Sequence, residues 1–240
     1  MTRFTLLGVP IDPITQEQAI EWVAVALAEG RPKLVVSVNP ERVMQAGRDP
    51  AFAAILARAD LALADGAGVE WAARRRGHPL PGRIPGVDFV QALAARGATD
   101  GWRFFFLGGA PGIAEAAGRV LRKRHPGFIL AGTFAGSPDS AEDANSIQAV
   151  RASGAQILFL GYGGGAEEAW LARNLERSGA TVGMGVGGAF DFISGRARRA
   201  PPWMRERGIE WLHRLTMEPW RWRRMLALPR FVVRVLREPG

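Results

Sequence analysis

The sequence predicts an α/β fold: a mostly parallel β-sheet with helices on both faces, followed by a basic helical C-terminal appendage. Three observations carry this. Short, continuous apolar runs of the kind seen in strands covered on both faces alternate with amphipathic helical stretches. Two strand–turn–helix units echo each other, LGGAPGIAE (107–115) and LGYGGGAEE (160–168), sharing Leu, Gly, Gly and Glu. The charge is segregated: residues 1–195 hold 19 Lys/Arg and 19 Asp/Glu, whereas residues 196–240 hold 12 Arg and 4 Glu. The whole excess of +8 therefore lies in the last 45 residues, with four of the eight Trp. This places a domain boundary at 195/196, and the neutral part should fold without the basic one.

A first strand is expected over Phe4–Val9. Thr15 with Gln18 forms a capping-box pattern, and Ala19, Val23, Ala26 and Leu27 make one helical stripe behind it. Leu34–Val38 is the second strand; Asn39 and Pro40 then read as N-cap and first helical residue. A helix over 50–58, the strand Leu61–Ala64 and a helix over 67–76 follow. Beyond them come a helix at 88–95, the strand Arg103–Leu107 and a helix at 111–124. The strand Phe128–Thr133, a helix at 140–152, the strand Ile157–Leu160, a helix at 166–178 and the strand Thr181–Val186 complete the alternation. The tail should form short helices broken at Pro219 and Pro229, with Ile209, Leu212 and Leu215 on one face and arginines elsewhere.

Composition excludes several chemistries. With no Cys, disulfides and thiolate catalysis are out, and three His do not suggest a multi-His metal site. No uncharged apolar stretch is long enough to span a bilayer, and the N-terminus reads as a strand rather than a signal peptide. The basic, Trp-rich tail has an interfacial-helix composition and points to an anionic membrane surface. Nucleic acid is the rival partner, disfavoured because no nucleic-acid module is recognisable.

Ligands of open α/β sheets bind at the carboxyl ends of the strands. Ser37, Asn39, Asp65, Gly108, Gly109 and the run Gly161–Gly165, with Gly163 at its centre, all fall at such ends. Asp65, in LADGAG, is either the N-cap of the next helix or a catalytic carboxylate beside a backbone nearly free of side chains. The glycine turns either let phosphate approach free N–H groups or are simply tight turns; neither has a P-loop lysine. There is no DxD clamp, so arginine rather than a metal would neutralise a bound diphosphate. Arg83, between Pro81 and Pro85, has a restrained backbone, and Glu167 and Glu168 suit a helix start.

The segments VNPERV, LADGAGV, GRIPGVD, FLGGAPGIAE, GVGGAFDFISGRARRAPPWMRERGIEWLHRL and EPWRWRR together resemble the WecG/TagA/CpsF family of bacterial glycosyltransferases, over roughly residues 4–236. The resemblance implies a Rossmann-like sheet. It also implies an inverting, metal-independent enzyme without cofactor, in cell-envelope polysaccharide or teichoic-acid-type polymer assembly. A sugar, of N-acetylmannosamine type or glucose, would pass from a UDP-sugar donor to a polyprenyl-diphosphate-linked saccharide at the inner face of the cell membrane. The family's base matches Asp65 and its pocket positions match Asn39 and Arg83; Ser37 stands where the family often has Thr, a change that keeps the hydroxyl. Asp191 in the Gly185–Arg214 block is assigned to the same pocket, and Arg214, Arg221 and Arg224 match arginines thought to close over the site.

The family pattern GxGxPKQEKW departs here to GYGGGAEEAW, and Glu167 is expected to face the donor pocket and to disfavour acidic sugars by like-charge repulsion. A nucleotide-sugar-binding protein that has lost catalysis is the alternative that this departure leaves open. Self-association is also left open by the sequence.

Overall fold

The computed structural model describes residues 2–217, 219 and 222–238, with Arg223 described in its backbone alone. The elements, in chain order, are β1 (Phe4–Leu6), β2 (Val9–Ile11), α1 (Gln16–Glu29), β3 (Lys33–Val38), α2 (Pro40–Ala46), α3 (Pro50–Ala57), β4 (Leu61–Ala64), α4 (Ala67–Arg75), α5 (Gly86–Asp100), β5 (Arg103–Gly108), α6 (Ile113–Arg124), β6 (Ile129–Phe134), α7 (Asp143–Ser153), β7 (Ile157–Gly161), α8 (Ala166–Ser178), β8 (Val182–Gly185) and α9 (Ala189–Ser194). The tail adds α10 (Pro202–Glu206), α11 (Glu210–Met217), α12 (Trp222–Met225) and α13 (Ala227–Arg237).

Among the described residues the main sheet has six parallel strands in the order β4-β3-β8-β7-β5-β6. The pleat explains the continuous apolar runs. Val35, Leu63, Phe104, Phe106, Ile157, Phe159 and Met184 face one way, into a core with α1, α5, α6 and α9. Val36, Val38, Ala62 and Ala64 face the other way, under α2, α3 and α4, and Phe105, Leu107, Leu158 and Leu160 lie under α7 and α8. Both faces are covered, so neither needs polar alternation. The two echoing units are neighbours: Gly108 pairs in register with Gly161, and Gly109 N–H donates to the Gly161 carbonyl at 3.0 Å. The capping box at Thr15 and the Asn39 cap form as the sequence predicts.

Three expectations are corrected. The first strand is a hairpin: Leu7 (φ 52°) and Gly8 (φ 84°) make a left-handed turn that folds β2 back on β1. Asp12 at its end donates its N–H to the Ala62 carbonyl and accepts from Ala62 N–H, and Arg3 bridges Asp12 to the Ala59 and Asp60 carbonyls. The hairpin thus covers the β4 edge. Second, Pro229 does not break a helix. It sits in the first turn of α13, where its missing N–H costs nothing. Third, the chain beyond Gly195 does not stand apart. Phe231 and Val235 of α13 are 1% and 3% exposed and join the α2–α4 core. Each such side chain contributes roughly 1.5–3 kcal/mol by burial, so a cut after Gly195 removes part of the core.

Candidate functional site

A cavity of about 240 Å³ opens over the carboxyl ends of β3, β4, β7 and β8. Ser37 and Asn39 reach its wall from the end of β3, Asp65 from the end of β4, Gly163 and Gly164 from the turn after β7, and Gly187 and Gly188 from the turn after β8. The tail roofs it with Arg199, Glu210, Arg214 and Arg224. A second cavity of about 790 Å³ shares Phe192, Glu210 and Arg214 with the first and adds Gly109, Gly161, Tyr162, Asp191 and Arg196. Arg214 is the hinge between them, its guanidinium 5.3 Å from the centre of the Phe192 ring.

Asp65 is not a helix cap. Gly66 (φ 86°) stands at the cap position of α4, with no side-chain cap bond there. The Asp65 carboxylate instead accepts a hydrogen bond from the Ser37 hydroxyl at 3.1 Å. Gly68 lets α4 close on α2, because a Cβ there would lie 2.8 Å from Pro40 Cγ. The small residues of LADGAG therefore serve helix packing as well as access. Burial pushes the Asp65 carboxyl up to about 6. The Ser37 hydrogen bond pulls it back, Glu210 raises it, Arg199 lowers it and Asp88 raises it. A carboxyl with a pKa near neutrality, on a cavity wall, suits proton transfer.

The first cavity gathers Ser37, Asn39, Asp65, Gly163, Arg214 and Arg224; the second gathers Gly109, Gly161, Asp191 and Arg214. Gly108, Arg83 and Glu167 line neither. Gly108 carries the ring of Tyr162, which a Cβ would meet at 2.8 Å. Arg83 is paired with Glu70 at 3.1 Å and donates to the Arg205 carbonyl at 3.2 Å, which ties the end of α10 to α4. Arg221 lies outside the described residues.

Glu167 corrects the expectation drawn from GYGGGAEEAW. Its side chain is fully buried behind the cavity wall. One oxygen accepts from Gly163 N–H at 2.8 Å and Gly187 N–H at 2.7 Å; the other accepts from Arg42 at 3.0 Å. Glu168, also buried, shares Arg42 at 2.9 Å. Burial pushes both carboxyls up, with each other's proximity raising Glu167 further and Arg42 opposing. Two N–H groups of the glycine turns are thereby taken by a side chain.

Sequence reasoning missed Arg42, Arg199 and Glu210. Arg199 forks onto Asp88 (one contact at 2.8 Å) and reaches Glu210 at 3.3 Å. Arg224 binds Glu41 of α2 at 2.7 Å. Asp88 and Glu41 lie 111 and 183 residues from their arginines, and no local pattern marks these pairs.

The family model described as "Glycosyl transferase WecG/TagA/CpsF family" matches residues 4–239. The chain belongs to this family. A protein of Bacillus spizizenii (strain W23), named N-acetylglucosaminyldiphosphoundecaprenol N-acetyl-β-D-mannosaminyltransferase, is 35% identical over 213 residues, covering 88% of this chain and 81% of its own. A protein of Staphylococcus aureus (strain MW2) with the same name is 30% identical over 235 residues, 97% of this chain and 92% of its own. Among the described residues of this WecG/TagA/CpsF member, no helix is long and apolar enough to cross a membrane.

Proposed function

We propose that the chain is an inverting, metal-independent glycosyltransferase that moves N-acetylmannosamine from a UDP donor to N-acetylglucosamine carried on a polyprenyl diphosphate. The two cavities are read as one bipartite site: sugar chemistry in the first, nucleotide over the glycine turns of the second. The acceptor hydroxyl attacks the anomeric carbon as the bond to the UDP oxygen breaks. Its proton passes to the Asp65 carboxylate, and the electron pair of the broken bond leaves with UDP. Attack on the face opposite the leaving group inverts the anomeric centre. Arg214 and Arg224 are the cations placed to offset charge developing on the diphosphate.

The carrying observation is Asp65: a desolvated carboxyl, held by Ser37, on the wall of a rim cavity roofed by arginines. UDP release should require both UDP-N-acetylmannosamine and the lipid-linked acceptor. UDP-sugar binding without release would favour the non-catalytic reading. Glu167 itself lies off both walls, so its charge does not enter either cavity.

The tail suits contact with an anionic membrane surface, which would place the protein on the inner face of the cell membrane. Val232, Val233 and Leu236 of α13 are exposed, as are Trp203, Trp211 and Trp222, all amid arginines.

A further inference from the structure

The tail crosses the first cavity as a strap held at several points. Arg83 binds the Arg205 carbonyl at the end of α10. The turn at Gly208 rests directly on Ala67, the first residue of α4 and two residues from Asp65. Arg224 ties α12 to Glu41, and α13 is buried against α2 and α4. α11, which carries both Glu210 and Arg214 into the cavity, depends on a different contact. Arg199, with its side chain 18% exposed, takes both oxygens of Asp88 near the start of α5 and turns its Nε to Glu210.

We infer that Arg199 is a positioning residue, a latch that joins Asp88 of α5 to Glu210 of α11 and so sets where α11 stands over Asp65. The geometry is that of a fork with one face on the core and one on the strap, which a lysine, offering a single point of charge, does not reproduce. The consequence for chemistry, which rests on the proposed role of Asp65, is that closing the strap tunes the base. Asp65 accepts from the Ser37 hydroxyl of β3 and shares the cavity wall with Glu210 of α11 and Arg199 of the segment after α9, while Asp88 of α5 stands against Arg199. Glu210 disfavours its ionised form and Arg199 favours it.

The test uses the full chain and three variants: Arg199→Lys, Asp88→Asn and Glu210→Gln. Amide hydrogen exchange is followed across Glu210–Met217, with the sheet and melting temperature as controls for folding. Losing a charge-assisted contact should speed exchange in α11 by roughly 10- to 100-fold while the sheet stays protected. Unchanged exchange in all three variants overturns the latch. For Glu210→Gln, the acidic limb of kcat/KM should move to lower pH, since a charge opposing Asp65 ionisation is gone; an unmoved limb overturns the tuning. If the wild type proves inactive while exchange responds as expected, the latch stands and the functional reading falls.

Discussion

Asp65 and Glu167 are two acids at the same rim of the sheet whose oxygens go to different places. Asp65 directly follows β4 and Glu167 opens α8 after the glycine-rich turn that follows β7, and burial pushes each carboxyl up. Asp65 takes one hydroxyl and otherwise faces the cavity. Glu167 is fully committed to two backbone N–H groups and Arg42 behind the wall. Motif, strand position and desolvation therefore do not separate a reacting carboxyl from a structural one; the spoken-for hydrogen bonds do.

The largest effect should come from Asp65→Asn, which keeps size and the Ser37 contact but removes the base. Turnover should fall by about 10²–10⁴-fold, with the fold intact by circular dichroism.

Glu167→Ala is expected to act on stability instead. It leaves the Gly163 and Gly187 N–H groups without their acceptor, while Arg42 keeps Glu168 at 2.9 Å, a loss of roughly 1–3 kcal/mol for each unsatisfied group, measured by denaturant midpoint. Glu167→Gln keeps an acceptor for Gly163 and Gly187 and should lose far less. It should also leave the preference between acidic and neutral UDP-sugars unchanged; a shift in that ratio would return Glu167 to the pocket wall.

The stability consequence of Asp65 has a defined sign. Its folded pKa is raised from 3.8 to about 6, so the folded state favours the protonated form. That stabilisation is present below about pH 4 and lost as pH rises through 6. Asp65→Asn should accordingly exceed the wild type at pH 7, by about 3 kcal/mol at most, and lose that advantage at pH 4. A stability gap that does not vary with pH would mean the carboxyl is not desolvated.

The smallest effect concerns the tail surface. Replacing Val233 and Leu236 by Ser should weaken co-sedimentation with anionic vesicles without lowering the melting temperature, because both are exposed. High salt should weaken the intact protein's binding, as screening of the arginines requires. Binding indifferent to both changes would place the membrane contact elsewhere.

The sheet was legible because its strands are short apolar runs between helix signals; β4 falls on the residues the sequence marks. The turn at Leu7–Gly8 was not, since an apolar residue in a left-handed conformation has no local signature. α13 was misjudged because its arginines outweigh Phe231 and Val235 in composition, although those two decide its packing. Of the site, Ser37, Asn39 and Asp65 were readable from strand ends. Arg199, Asp88 and Glu210 were not, because they meet only through the fold: Asp88 and Arg199 are 111 residues apart. Arg83 was readable as restrained but not as bound to Glu70 and the Arg205 carbonyl.

The central claim is that Asp65 takes the acceptor's proton. The direct measurement is kcat/KM for acceptor-dependent UDP release as a function of pH, for wild type and Asp65→Asn together. The wild type should show an acidic limb with an apparent pKa of about 6, and Asp65→Asn should lie far below it with that limb gone. An Asp65→Asn protein that keeps more than half the wild-type rate, or the same acidic limb, would contradict the account.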